Sequence, residues 1–371
     1  MRVLIVGAGV SGITSAINVK RTYPNDDVLV IEHLDKPLKK ILATGNGKCN
    51  FGNAALDINR YSNPSFVEPI LKEYDFKKQM DFYDSISIKY KLFGELAYPM
   101  SESAVSVKNA LLNECKKLGI KINLSESIID YKVGKEIEVK TDKNIYPVDK
   151  LVFAAGGCSQ KNLGSDGSVF ALLKKHGYEI VPPLPGLCPI KTKERMKVLD
   201  GVRTKSLVFL YKDGKLIHKE AGEVLFRDHG LSGIVIMNIS SIIARDLNKK
   251  YEIRIDQLPD TSIEELKKYL SDKGKEMYLQ SLFHPKMIEY IQNNSLEPIK
   301  ASKELSFHFE ELDSFEHSQV TIGGLNVKEV TDKLESRKEK NVYFLGEMLN
   351  IDGPCGGYNL MWAVGSALYV K

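Results

Sequence analysis

The chain has 371 residues, 43% of them hydrophobic and 27% charged, more than one comfortable core accommodates, so two or three domains are expected. Its net charge of +4 comes from interleaved lysines and acids rather than a basic stripe, which argues against a dedicated nucleic-acid binder. No apolar run approaches membrane-spanning length, no signal-peptide pattern opens the chain, and five cysteines without a CxxC pair suit a reducing compartment and give no recognisable zinc or other metal site.

These features together point to a soluble, cytoplasmic protein with neither a nucleic-acid nor a membrane partner. In chain order, residues 3–6 are an apolar run that breaks into Gly7-Ala8-Gly9-Val10-Ser11-Gly12, and Val10, Ile13 and Ile17 then recur at helical spacing. The pattern predicts strand, tight turn and helix. Gly7 permits the turn, Gly9 lets the backbone approach a pyrophosphate, and Gly12 lets the helix pack on its strand. The unpaired N–H groups at the helix start, around Val10, Ser11 and Gly12, make an anion site reinforced by the helix dipole. A second apolar run, 28–31, ends in Glu32 and His33, where a carboxylate would accept bonds from a ribose diol and repel a 2′-phosphate.

Residues 39–50 form a second glycine-bearing loop with basic side chains, among them Lys40, Gly45, Cys49 and Asn50; taken alone it reads first as a surface turn, and its small and cationic groups also suit a phosphate-containing ligand. Residues 64–90 read as irregular helix, and Ser101 or Ser103 as the cap of a helix through Ala104, Val107, Leu111 and Cys115. Four strand-like runs at 120–124, 128–133, 137–141 and 145–148 are spaced as one antiparallel meander. The apolar run 151–155, ending in Ala155-Gly156-Gly157, reads as a buried parallel strand whose end lies against a ligand.

The proline-rich stretch 182–186 reads as an inter-domain linker. Strands are expected at 206–211, 215–220 and 251–255, with a loop at 222–233 leading into an apolar helix at 234–243. Residues 261–302 read as a small helical insert with solvated charged faces. Late in the chain, a strand at 342–345 runs into Gly346-Glu347, and Gly357-Tyr358-Asn359-Leu360 opens a final helix. Two glycine-led helix starts at opposite ends of the chain suit FAD, whose extended form reaches far from its pyrophosphate, better than NAD held by one Rossmann half.

The ordered blocks GAGVSG, LATGNGKCNFGN, AAGGCS with GSDG, GEVLFRDHGLSG, VTIGGLNV and FLGEMLNIDGPCGGYNL resemble the flavoproteins grouped with BaiN and with aminoacetone oxidase, over nearly the full chain. The resemblance implies an α/β fold with a Rossmann-type FAD-binding domain built from both chain ends (1–185 and 319–371), an inserted β-barrel-like domain (186–256 and 306–318) and a helical insert (257–305). It also implies that Lys40, Gly45, Cys49 and Asn50 line the FAD, that Ala155, Gly156 and Gly157 pack beside it, and that Gly346, Glu347 and 357–360 hold its ribityl and ring end. Where many relatives carry Phe-Thr-His, this chain has Phe226-Arg227-Asp228 with His229 one place later, and Met361 replaces a common glutamine.

The expected activity is that of an FAD-dependent oxidoreductase acting on a small-molecule substrate. It is read as a reductase or dehydrogenase of unsaturated or carbonyl compounds, with NAD(P)H visiting transiently. A flavin amine oxidase of the aminoacetone-oxidase type is one alternative. A non-catalytic or RNA-associated FAD-binding protein is another. Tyr98, Asp228 and His229 are conceivable acid–base groups, but the sequence assigns no catalytic residue.

Overall fold

Val3, Leu4 and Ile5, like Leu151, Val152 and Phe153, are buried on both faces, the pattern of strands inside a parallel sheet covered by helices. A computed structural model, describing residues 1–370, places them in a five-stranded parallel sheet. Its strands are β1 (Arg2–Val6), β2 (Asp27–Glu32), β3 (Lys121–Leu124), β4 (Lys150–Phe153) and β5 (Val342–Phe344), in the order β5-β4-β1-β2-β3. This is the Rossmann order, in which a ligand crevice opens beyond the carboxyl ends where the winding reverses, here between β1 and β4. Val6 pairs with both Ile31 and Phe153, so the three strands end level, delivering Gly7, Glu32 and Ala154 to one edge.

The sheet belongs to a unit made of Met1–Leu184 and the segment from Val320 onward. Lys121–Leu124 was expected in the meander but pairs in parallel with β2 as the sheet's edge strand. Only Ile128–Val133, Ile137–Thr141 and Ile145–Val148 form the antiparallel three-stranded piece. Spacing alone does not separate a strand that joins a distant sheet from one that joins its neighbour. The expected linker at 182–186 is also a strand, Ile180–Gly186, paired only with Val320–Leu325. In a two-stranded ribbon each strand keeps a free edge, so the missing N–H groups of Pro182, Pro183 and Pro185 cost less than in a sheet interior.

The second unit, Pro185–Gln319, is a closed barrel. Around it run Ile190–Thr192, Gly230–Ser232, Lys215–Arg227, Arg203–Lys212, Tyr251–Asp256 and Leu305–Leu312. The expected loop at 222–233 is instead the end of the 13-residue strand Lys215–Arg227 followed by the short strand Gly230–Ser232. Val224 and Phe226, both fully buried, alternate inward there, a period-2 signal that the glycines obscured. The helices Ile263–Leu282, Pro285–Asn293 and Pro298–Lys303 share this unit's core, since Leu266, Tyr278, Met287 and Ile291 pack in one cluster with Val208, Ile253 and Phe307.

Candidate cofactor site

Gly7 adopts φ +102°, and a Cβ there would lie 2.5 Å from the Ala154 carbonyl, so only glycine lets the turn pass over the end of β4. One residue pair later, the space tells the roles apart. A Cβ on Gly12 would overlap the Gly7 carbonyl, whereas a Cβ on Gly9 meets nothing within 4 Å. Gly12 therefore closes the helix onto the turn, and Gly9 faces open space where a ligand can lie against the backbone.

The first helix, Val10–Thr22, has no side-chain cap. Its first bond runs from Ile13 N–H to the Gly9 carbonyl at 3.0 Å, which leaves the amides of Val10, Ser11 and Gly12 without a partner among the described residues. The last helix, Tyr358–Tyr369, repeats the arrangement. It too lacks a side-chain cap, its first bond runs from Met361 N–H to the Gly357 carbonyl at 3.0 Å, and the amides of Tyr358, Asn359 and Leu360 are free of partners among the described residues. A helix start uncapped in this way offers donors and a positive dipole end to an anionic or carbonyl group.

The two helices lie side by side and run the same way. Gly346 fills the gap between them: it sits at φ +63°, and a Cβ there would overlap the Ser11 hydroxyl and reach Ala363 Cα at 3.9 Å. Further along, Asn18 Nδ2 donates to the carbonyls of Leu368 and Val370 at 2.8 and 3.0 Å, an offset of 350 to 352 residues. That offset sets Val10 level with residues 360–362, so the last helix begins roughly 3–6 Å beyond the first at 1.5 Å per residue. Six unpaired amides thus face the same side, at the carboxyl edge of the sheet.

Glu32 is buried, and its carboxylate fastens this edge. Oε2 accepts the Ala8 N–H at 2.8 Å and Oε1 accepts the Leu34 N–H at 3.0 Å, with His33 Nδ1 at 3.1 Å from Oε1. Burial alone would raise its pKa, but the hydrogen bonds from His33, Leu34 and Ala8 outweigh it and hold the carboxyl below the usual value. The same hydrogen bond to Glu32 raises His33. With Oε1 taken by both Leu34 and His33, Oε2 keeps one lone pair for a ribose hydroxyl.

The basic loop is a kinked 3-10 segment, Lys40–Gly47. Lys40 Nζ pairs with Glu347 Oε2 at 2.8 Å, and Glu347 Oε1 accepts the Thr321 N–H at 2.8 Å, which ties the loop to the end of β5. The Asn50 amide, with its nitrogen toward the carbonyls of Ala97 (3.1 Å) and Gly52 (2.9 Å), accepts the Gly357 N–H at 3.3 Å. Cys49 is fully buried, and burial pushes its thiol up to about 12, the behaviour of a small apolar core group rather than a reactive thiolate.

At the end of β4, a Cβ on Gly156 would press on the Ser165 hydroxyl at 2.8 Å, and one on Gly157 would overlap Thr321. Thr321 Oγ1 in turn accepts the Cys158 N–H at 2.7 Å. Half-buried Ala155 leads into this turn. Tyr358 and Asn359 contribute through backbone rather than side chain. The Tyr358 carbonyl accepts from the buried Tyr61 hydroxyl at 2.7 Å, and the side-chain amide of Asn359 is spent on Gly353, whose N–H its Oδ1 accepts at 2.9 Å and to whose carbonyl its Nδ2 donates at 2.8 Å. Leu360 is half-buried beside them.

The cofactor residues singled out in the sequence, and Tyr98 with them, are thus gathered in one unit from both chain ends, whereas Asp228 and His229 belong to the barrel unit. Ser11 against Gly346, Asn18 on the last helix and Thr321 under Gly157 were not anticipated, because contacts across more than 160 residues leave no local pattern.

The strand order, the glycine turn and the acid at the end of β2 define a Rossmann-type dinucleotide-binding protein. A family model described as the HI0933-like protein Rossmann domain matches residues 1–370, and the chain belongs to this family of FAD-binding flavoproteins. It is 33% identical over 98% of its length to a 3-dehydro-bile acid delta(4,6)-reductase of Clostridium scindens, covering 96% of that protein. It is 28% identical over 98% of its length to a ribosomal RNA dihydrouridine synthase of Escherichia coli, covering 95%. Among solved structures, the open conformation of a flavocytochrome c3 fumarate reductase shares the fold at TM-score 0.51 and 13% identity, covering all of this chain and 77% of that one. Among the described residues, no helix is long and apolar enough to cross a membrane.

Proposed function

We propose that the protein reduces a carbon–carbon double bond conjugated to a carbonyl group in a small, largely apolar molecule. The observation that carries the flavin part of this reading is the pair of parallel helix starts, whose six unpaired amides fit the two polar parts of one extended FAD. The amides of Val10, Ser11 and Gly12 would take the pyrophosphate and Glu32 the adenosine ribose. Gly346 and Glu347, with Lys40 paired to Glu347, would lie along the ribityl chain, and the amides of Tyr358, Asn359 and Leu360 would take the carbonyl edge of the ring. Bound FAD supplies the hydride chemistry at its N5. The last helix start favours negative charge on the ring edge by about 0.3–1 kcal/mol, on the order of 6–20 mV for two electrons, so it trims the potential without setting it.

The bond type rests on what the relatives' names have in common. A 3-dehydro steroid unsaturated at positions 4 and 6 is a conjugated ketone, and dihydrouridine is uridine with the double bond beside a ring carbonyl saturated. Both reactions add a hydride to the far carbon of a conjugated system and a proton to the near one. The interleaved surface charge favours the small-molecule version over RNA. NADH or NADPH, visiting transiently, is the proposed electron donor.

Anaerobic mixing of the holoprotein with NADH or NADPH, followed by a conjugated enone, tests the reading. The flavin should bleach and then recover its colour with the enone. A flavin that bleaches but recovers only with oxygen would favour an oxidase, and one that NAD(P)H leaves unbleached would remove the nicotinamide donor.

A further inference from the structure

A small antiparallel sheet lies against the ring end of the candidate site. Gly52–Asn53 pairs with Leu96–Pro99, which pairs with Tyr90–Phe93. Alternation along the strands puts Asn53, Leu96, Tyr98, Lys91 and Phe93 on one face. Two loops assigned to the cofactor press on that face. A Cβ on Gly356 would meet Leu96 Cδ2 at 3.4 Å and Asn53 Nδ2 at 3.7 Å, and one on Gly45 would meet Tyr98 Cε1 at 3.5 Å. Tyr98 is half-buried, with its ring edge-on to Phe93 at 5.6 Å.

The Tyr98 hydroxyl has no hydrogen-bond partner among the described residues, unlike the phenols of Tyr61, Tyr131 and Tyr178, which all bond within the fold. Around it stands an ion network. Glu102 takes Lys48 Nζ at 2.9 Å and Lys91 Nζ at 2.6 Å, and Lys91 lies over the Phe93 ring at 5.1 Å. Burial raises the Tyr98 pKa, with Lys48 pulling against it and Glu102 adding to it. The phenol therefore stays protonated at neutral pH beside charged, solvent-reaching groups that can return a proton.

Resting on the reading given under Proposed function, we infer that Tyr98 is the acid of the reaction, its free hydroxyl delivering the proton that completes reduction of the conjugated double bond. The far carbon of the alkene takes the hydride supplied by the reduced flavin, and the alkene's electron pair shifts toward the carbonyl to leave an enolate. The near carbon of that enolate then takes the proton as the Tyr98 O–H bond breaks and a C–H bond forms. The substrate gains one hydride and one proton, the flavin is oxidised, and the phenolate regains its proton from water at the Lys48–Glu102 network.

Tyr98→Phe keeps the ring that packs on Phe93 and the Gly45 loop, so FAD content and thermal midpoint should match the wild type. Both holoproteins are photoreduced without oxygen and mixed with cyclohex-2-en-1-one. Flavin reoxidation should slow by roughly 10²- to 10⁴-fold in the variant, with photoreduction unchanged. Independently of turnover, the phenolate absorbance that disappears in Tyr98→Phe should titrate at higher pH in the reduced holoprotein than in the oxidised one, because the reduced ring carries negative charge. Equal reoxidation rates, or a Tyr98 titration indifferent to the flavin's redox state, overturn the assignment of Tyr98 alone. A wild-type flavin that the enone fails to reoxidise overturns the reductase reading and this inference with it.

Discussion

Substituting Gly9 and Gly12 separately distinguishes ligand contact from packing at the opening turn. Gly9 sits at φ −75°, ψ −176°, angles that alanine adopts without strain, with nothing within 4 Å of the added Cβ. Gly9→Ala should leave the apoprotein as stable as before, or more stable by about 0.4–1 kcal/mol through reduced freedom of the unfolded chain. The methyl group would nevertheless occupy the space assigned to the pyrophosphate. Losing one charge-assisted hydrogen bond to the Val10 or Ser11 amide costs about 1.5–3 kcal/mol, so the FAD dissociation constant should rise roughly 10- to 150-fold.

In Gly12→Ala the Cβ overlaps the Gly7 carbonyl, which is backbone and cannot step aside. Stability should fall by about 1–3 kcal/mol or more, and FAD binding should fall with it. Thermal unfolding of the apoproteins and fluorescence titration with FAD read the two effects independently. A Gly9→Ala protein that binds FAD as tightly as wild type would refute the placement of the pyrophosphate at this turn.

Three further outcomes follow from the same geometry. Asn359→Leu removes both bonds to Gly353 and should cost about 1–3 kcal/mol, read as a lower thermal midpoint together with weaker FAD binding. The Glu32–His33 pair has a pH window. The depressed Glu32 contributes stability above its unfolded value of about 4.5 and loses it as pH falls through the lower folded value; the raised His33 contributes below 6.5 and loses it as pH rises through its higher folded value. The midpoint difference between wild type and His33→Asn should therefore be largest between those limits and shrink as pH rises through the higher folded value of His33; a difference independent of pH would contradict the pairing. Cys49→Ser should leave flavin reduction unchanged, and iodoacetamide at about pH 8 should spare Cys49 in the folded protein, as peptide mapping would show.

The opening strand, turn and helix were legible because every signal is local: VLIV, three glycines at fixed spacing, and Glu32 at the end of the next apolar run. The last helix start was legible for the same reason, through Gly357-Tyr358-Asn359-Leu360. What joins the two was not. Gly346 reads as one more glycine after a strand, and nothing in its neighbours announces that its missing side chain makes room for Ser11. The edge strand Lys121–Leu124 carries the alternation of a meander strand and differs only in its partner. The strand Ile180–Gly186 was hidden by its prolines, whose exclusion holds for sheet interiors and not for a two-stranded ribbon. Asn359 illustrates a subtler limit. Its position was legible, but its side chain serves Gly353 and leaves only the backbone amide for a ligand.

The account stands on one molecule of FAD held at its pyrophosphate by the first helix start and at its ring by the last. A crystal structure of the FAD-bound protein tests this most directly. Pyrophosphate oxygens should lie within hydrogen-bond distance of the Val10 or Ser11 amides, and the carbonyl edge of the same molecule's ring should lie against the amides of Tyr358, Asn359 or Leu360. A flavin whose ring lies away from the last helix, or whose pyrophosphate is bound elsewhere than at Gly9, would contradict it.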